Sequence, residues 1–229
     1  ASGALPILNT TQGGTQAGIG VRTDANAANL VLALPLVGST NDVSNLINSG
    51  STTKAFTANG NAASSTQSNF YGGSFYFDGN GDYLSASSTS DFALGTNDWT
   101  VEYYAYPTST TQYQRHFYLI GSNANQIEGI YANSSGISFG KTNVFGETAV
   151  SNPLNQWNHY ALVHDSTNMR LYINGIQVQT SSSDFADENK SLHIGYSNST
   201  FGGYFTGYMQ DFRMYKGLAK YTSNFVVPS

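Results

Sequence analysis

Two alternating runs, Met169-Arg170-Leu171-Tyr172-Ile173 and Ile176-Gln177-Val178-Gln179, flank the dipeptide Asn174-Gly175. Asn-Gly tolerates positive φ at both positions and selects a two-residue type I′ turn, whose twist matches that of paired strands. This turn predicts that Ile173 faces Ile176 and Leu171 faces Val178. All four then share one apolar face, while Arg170, Tyr172, Gln177 and Gln179 share the other. Turn chemistry and hydrophobic pattern agree, so the chain must hold antiparallel sheet.

The same period recurs elsewhere. Strands are predicted at Leu30 to Leu36, Phe75 to Phe77, Tyr83-Leu84, Trp99 to Tyr106, Leu192 to Tyr196 and Tyr204 to Tyr215, with a turn at Asp78-Gly79-Asn80-Gly81-Asp82. In Trp99 to Tyr106 the alternation puts Trp99, Val101, Tyr103 and Ala105 on one face. Thr100, Glu102, Tyr104 and Tyr106 take the other. Ser39 to Ser68 reads mostly as loop, and neither an amphipathic helix of ten residues nor a repeat period is present.

Composition narrows the function classes. Charged residues are 10% of the 229, aromatics 14%, and 14 acids against 9 bases leave a net charge of −5. No basic patch exists to meet nucleic acid. The apolar run Leu30 to Val37 is far short of the roughly twenty residues that span a bilayer, so no membrane insertion is expected. With no cysteine, disulfide frameworks and thiolate zinc sites are excluded. No basic segment followed by an apolar run opens the sequence, so no signal peptide is expected within it.

Two domains of character are visible. No aromatic precedes Phe56, and residues 1–28 hold five glycines with Arg22 and Asp24 as their only charges. They are expected to form an extended N-terminal arm, ordered only against another protein chain, with residues 29–229 as the folded domain.

Four pieces in order carry a family resemblance: Phe75 to Leu84, Trp99 to Pro107, Trp157 to Asp165 running into Leu171 to Gly175, and Phe205 to Tyr215. Together they resemble the laminin-G-like, concanavalin A-like lectin/glucanase jelly rolls. The ending Tyr215 to Phe225, followed by Pro228, resembles copies in tailed-bacteriophage virion proteins. The implied fold is all-β, a two-sheet antiparallel sandwich. The implied role is that of a non-catalytic structural or adhesion protein on a phage virion surface, as a capsid decoration or tail-fibre module present in many copies. Its partners would be other virion or filament subunits, met through the arm, and cell-surface glycans. A secreted lectin or a cell-surface filament subunit is the alternative, and a glycoside hydrolase of this fold a third reading.

Chemical motifs give little to an enzyme. Retaining hydrolases need two close carboxyl groups, carried in this fold as Glu-x-Asp-x-Glu. None of Glu102, Glu128, Glu147 and Glu188 has an acid two residues away, and Glu102 reads as a solvated polar side chain on the outer face of its strand. No catalytic residue is expected. Gly136-Ile137-Ser138-Phe139-Gly140 copies the nucleophile elbow in letters only, without the strand-to-helix context. Asp78, Asn80 and Asp82 have calcium-loop spacing, but Tyr83 and Thr89 stand where an EF-hand needs Gly and Glu. Nor do His116, His159, His164 and His193 have zinc spacing. The resemblance implies a structural calcium held by an acid on the last strand. That leaves Asp211 with a loop acid such as Asp42 as candidates, although Gln210 replaces the first acid of the usual pair. Asp211 and Arg213 also lie two apart on one face, as a plain ion pair would. No other cofactor is expected. For glycan or partner binding the candidates are Tyr104, Tyr106, Tyr113, Tyr118 and Tyr204, in loops around Tyr104 to Tyr118 and Ser197 to Tyr204.

Overall fold

The computed structural model describes residues 24–111, 113–122, 127–141, 144–145, 150–182, 187–197 and 203–228, with 127–128, 141 and 144–145 as backbone. Its strands are β1 (Leu30–Leu34), β2 (Phe56–Asn59), β3 (Ala63–Ser65), β4 (Ser74–Asp78), β5 (Tyr83–Thr89), β6 (Trp99–Pro107), β7 (Gln114–Arg115) and β8 (Phe117–Ile120). They continue as β9 (Ile127–Asn133), β10 (Gly136–Lys141), β11 (Val144–Phe145), β12 (Asn158–His164), β13 (Met169–Ile173), β14 (Ile176–Ser181), β15 (Lys190–Ile194) and β16 (Thr206–Lys216). A one-turn helix α1 (Ser44–Ile47) interrupts them.

The first sheet runs β14-β13-β12-β6-β16-β4-β3, with β1 also on β16. The second runs β11-β10-β9-β8-β15-β5-β2, with β7 on β9. All pairings are antiparallel, and the inward faces of the two sheets enclose one large apolar cluster. Trp99, Val101, Tyr103 and Ala105 point into it as the alternation predicts, opposed by Phe117, Leu119, Leu192 and Ile194. Burying such side chains contributes about 1.5–3 kcal/mol each, which is why a period-2 pattern fixes which face turns in.

The hairpin holds its turn but slips one partner. Asn174 and Gly175 have φ of 50° and 78°, as a type I′ turn requires, and Ile173 faces Ile176. A bulge then sets Leu171 opposite Gln179 instead of Val178, and Ile176 is left 55% exposed. The expected shared face of four apolar residues is therefore corrected: Val178 packs partly against the core, but Ile176 does not.

Other boundaries also move. β1 ends at Leu34 because Pro35 has no N–H to donate and Leu36 takes φ 56°. The predicted loop Ser39 to Ser68 contains α1, β2 and β3. Residues 24–28, placed by the sequence in the arm, lie against the domain: Tyr215 Oη donates to Asp24 Oδ2 at 2.7 Å, and Asp24 is buried. The rest of the predicted arm lies outside the described residues.

Candidate functional site

The two sheets also have outward faces, and these differ. On β6 the outward residues Thr100, Glu102 and Tyr104 are buried. What covers them is the C-terminal strap, residues 218–228. Thr100 Oγ1 donates to the Leu218 carbonyl at 2.9 Å and accepts from the Lys220 N–H at 3.0 Å. Lys220 Nζ pairs with Glu102 Oε1, Tyr221 Oη donates to Glu102 Oε2 at 2.7 Å, and His159 Nε2 lies 3.4 Å from the same oxygen. Tyr221 stacks on Phe225 with centroids 3.5 Å apart, and both pack over Ala161, Val163 and Tyr172. The Phe225 N–H donates to the Gly175 carbonyl at 2.9 Å. A Cβ on Gly175 would lie 2.0 Å from the Phe225 oxygen, so this glycine serves both the turn and the strap.

Glu102 is thus a buried charge, which corrects its reading as a solvated side chain on the strand's outer face. Burial alone would raise its pKa, but Lys220 and His159 outweigh that and hold the carboxyl well below the usual range. Asp211 goes the other way: burial raises it, and Arg213 only partly compensates. Arg213 Nε donates to Asp211 Oδ1 at 2.8 Å, the ion pair their spacing suggests. Glu102 and Asp211 do share one small cavity with His159, Arg213 and Pro228, but it holds only about 10 Å³. That is room for roughly one water and not for a sugar.

Asp42, the other calcium candidate, is taken up elsewhere. Its Oδ1 accepts from the Ala33 and Ser44 N–H groups at 3.1 and 2.9 Å, and its Oδ2 from the Lys54 N–H at 2.9 Å. Asp42 and Lys54 also line an open groove of about 830 Å³ beside α1. Among the described residues no three acids or histidines gather as a metal site. The histidines are dispersed: His116 lies in the core against Tyr103, where burial pushes its pKa down to about 3, and His164 stacks on Trp99.

The predicted tyrosines do not form one cluster. Tyr104 is buried, its hydroxyl donating to the Pro228 carbonyl and its ring edge-on to Phe70 at 4.9 Å. Tyr118 is fully buried opposite His193 on the outward side of the second sheet. Neither offers a ring to a ligand, which corrects their expected place in the binding loops. Tyr113 is half-buried beside Tyr131, with the Arg115 guanidinium 5.5 Å from its ring. Tyr106 remains part-exposed on the first sheet.

Tyr204 joins a patch on the second sheet. It stacks on Tyr196 with centroids 4.4 Å apart and planes 12° apart. Tyr196 in turn lies 5.1 Å from Tyr83 and 6.0 Å from His193, and Tyr83 lies 5.0 Å from His193. All four rings are part-exposed on the outward face of the second sheet, beside Asn59 and Ser85, which hydrogen-bond each other at 3.0 Å. Burial raises the Tyr196 phenol, with Tyr204 and Tyr83 adding to it, and burial lowers the His193 imidazole. Both are therefore uncharged near neutral pH. Apolar ring faces edged by hydroxyls can stack on a sugar ring and hydrogen-bond its rim. Sequence reasoning missed Tyr83 and His193 and put Tyr196 in phase with Leu192 and Ile194. Gly195, at φ 89°, breaks that phase and turns Tyr196 outward; a glycine inside an alternating run was the available signal.

Residues 78–219 match the family described as the concanavalin A-like lectin/glucanases superfamily, of the laminin-G type. Among solved structures, domain 4 of AbnA, a GH43 extracellular arabinanase from Geobacillus stearothermophilus, in complex with arabinotriose, is similar with TM-score 0.62 and 20% identity. The likeness covers 82% of this chain and 93% of that one. The binding domain of botulinum neurotoxin serotype D is similar with TM-score 0.61 and 14% identity over 88% of this chain and 51% of its own. That of botulinum neurotoxin DC in complex with SialylT has TM-score 0.60 and 13% identity, over 82% and 48%. The chain thus spans about half of each toxin domain. No curated protein matches it in sequence. The matched span runs from the β4–β5 turn through both sheets into the strap, and on it the chain belongs to the concanavalin A-like lectin/glucanases superfamily.

Proposed function

We propose that the domain is a non-catalytic adhesion module that holds glycans on the patch of Tyr83, His193, Tyr196 and Tyr204. The observation that carries this is the part-exposed Tyr196–Tyr204 stack on a sheet face, an uncharged aromatic platform with hydroxyl edges. Similar folds support it, one in complex with arabinotriose and one with SialylT. The absence of catalysis is supported by the strap: Glu102 and Asp211 lie beneath it in a space too small for a saccharide. Display in many copies on the outside of a bacteriophage virion is supported by the phage-like ending Tyr215 to Phe225, and many copies turn a weak site into strong attachment.

An array of neutral and sialylated oligosaccharides tests the site. Tyr196→Ala is expected to lower binding about tenfold, the loss of one stacking contact, and binding unchanged in that variant refutes it. Mass spectrometry of purified phage particles is expected to find the protein; its presence only in cell-surface fractions refutes the virion placement.

A further inference from the structure

We propose that the outward face of the first sheet carries a second binding site, a row of four aromatic rings that takes an extended uncharged glycan chain laid across the strands. Tyr208 on β16 sits directly opposite Tyr76 on β4 and Tyr106 on β6. Trp157 immediately precedes Asn158, which pairs with Ala105, so it continues the row beyond Tyr106. The ring centroids step by 5.0 Å from Tyr76 to Tyr208, 5.9 Å to Tyr106 and 5.8 Å to Trp157. Each step follows the strand spacing and is close to the length of one sugar ring.

The row cannot turn inward. Phe75, Phe77, Ala105 and Met209, its neighbours along the strands, already fill the core. Cross-strand pairing accounts for the contacts between neighbouring rings but not for leaving all four part-exposed. Two residues along β6, Tyr104 shows the alternative, since the strap covers it at Pro228. The row lies past that contact.

The surroundings select the occupant. Thr108, Thr206, Asn155 and Gln156 border the row with hydrogen-bonding groups that carry no charge. The acid nearest the row is Asp78, two residues from Tyr76 on β4 and opposite Thr206, so the charge beside it is negative. A sialylated or otherwise anionic chain is repelled there, and a neutral one is not. Three of the rings stand on hydrogen-bonded strands, so the row is held in place before ligand arrives.

The test uses the Tyr196→Ala protein, in which the first site is disabled. Isothermal titration with neutral di-, tetra- and hexasaccharides of the cellulose and xylan types is expected to show binding that strengthens from two sugars to four. Adding Tyr208→Ala should weaken it about tenfold, while Tyr208→Phe, which keeps the ring, should retain most of it. Melting temperatures of the two Tyr208 variants guard against loss of fold. Binding in the Tyr196→Ala protein that ignores Tyr208→Ala overturns the proposal, as does no binding at all or a preference for a sialylated hexasaccharide. Self-association abolished by Tyr208→Ala also overturns it, because the row would then be a contact between copies. An unaltered Tyr196→Ala single variant overturns only the first site.

Discussion

The strap-covered centre of the first sheet and the aromatic patch of the second are both outward faces of the same sandwich, yet one is closed and the other open. Glu102, His159 and Tyr104 lie under residues 218–228, each with a polar partner or a ring against it. Among the described residues, Tyr83, Tyr196 and Tyr204 stack on one another and on His193, and they keep part of their surface in solvent. A covered face can bury charge if every charge is paired, and so contributes to stability. An open face must instead use uncharged amphipathic rings, and so is available to bind.

The largest effect should come from breaking the covered face. Glu102→Gln leaves Lys220 without its counter-charge beneath the strap, and about 3 kcal/mol of stability is expected to be lost in urea unfolding. The variant should also flatten the pH dependence. Glu102 has a folded pKa below its unfolded value, so its stabilisation is complete above the ordinary glutamate pKa of about 4.3 and is lost as pH falls below it. Asp211, raised by burial, has the opposite sign and gains on protonation. The native protein should therefore lose stability below about pH 4, and Glu102→Gln should lose less.

Next comes the strap's anchor. Gly175→Ala places a methyl 2.0 Å from the Phe225 carbonyl and strains a residue at φ 78°. About 2 kcal/mol of destabilisation is expected, read as a lower melting temperature.

The legibility of the sequence divides along the same line. Inward faces of β6 and β15 were readable because alternation records burial directly, and Asn174-Gly175 recorded its turn through φ. The covered outward face was not. Lys220, Tyr221 and Phe225 have no period that assigns them to a strand, and their role depends on docking more than a hundred residues away from Glu102. A polar residue on an outward strand position therefore looked solvated. On the second sheet Tyr204 was recognised as a candidate, but its partners Tyr83 and His193 come from β5 and β15, brought together by the register of those strands, and Tyr196 follows β15 past Gly195. Tyr104 and Tyr118 failed as candidates for the complementary reason: proximity in sequence to a loop does not say which face a strand residue takes.

The smallest effect should be on the stability of the open face. Tyr196→Ala is expected to change unfolding free energy by no more than about 1 kcal/mol, since its ring is part-exposed. A loss as large as that of Glu102→Gln would erase the distinction between the two faces.

Backbone and aromatic-ring NMR shifts, followed during titration with arabinotriose and a sialylated trisaccharide, test the central claim most directly. Shifts at Tyr83, His193, Tyr196 or Tyr204, with Glu102, His159 and Tyr221 unmoved, are the expected result. Shifts centred on Glu102, His159 and Tyr221 would mean that the strap lifts to admit a sugar, and would contradict the assignment of a closed stabilising centre to the first sheet and an open binding patch to the second.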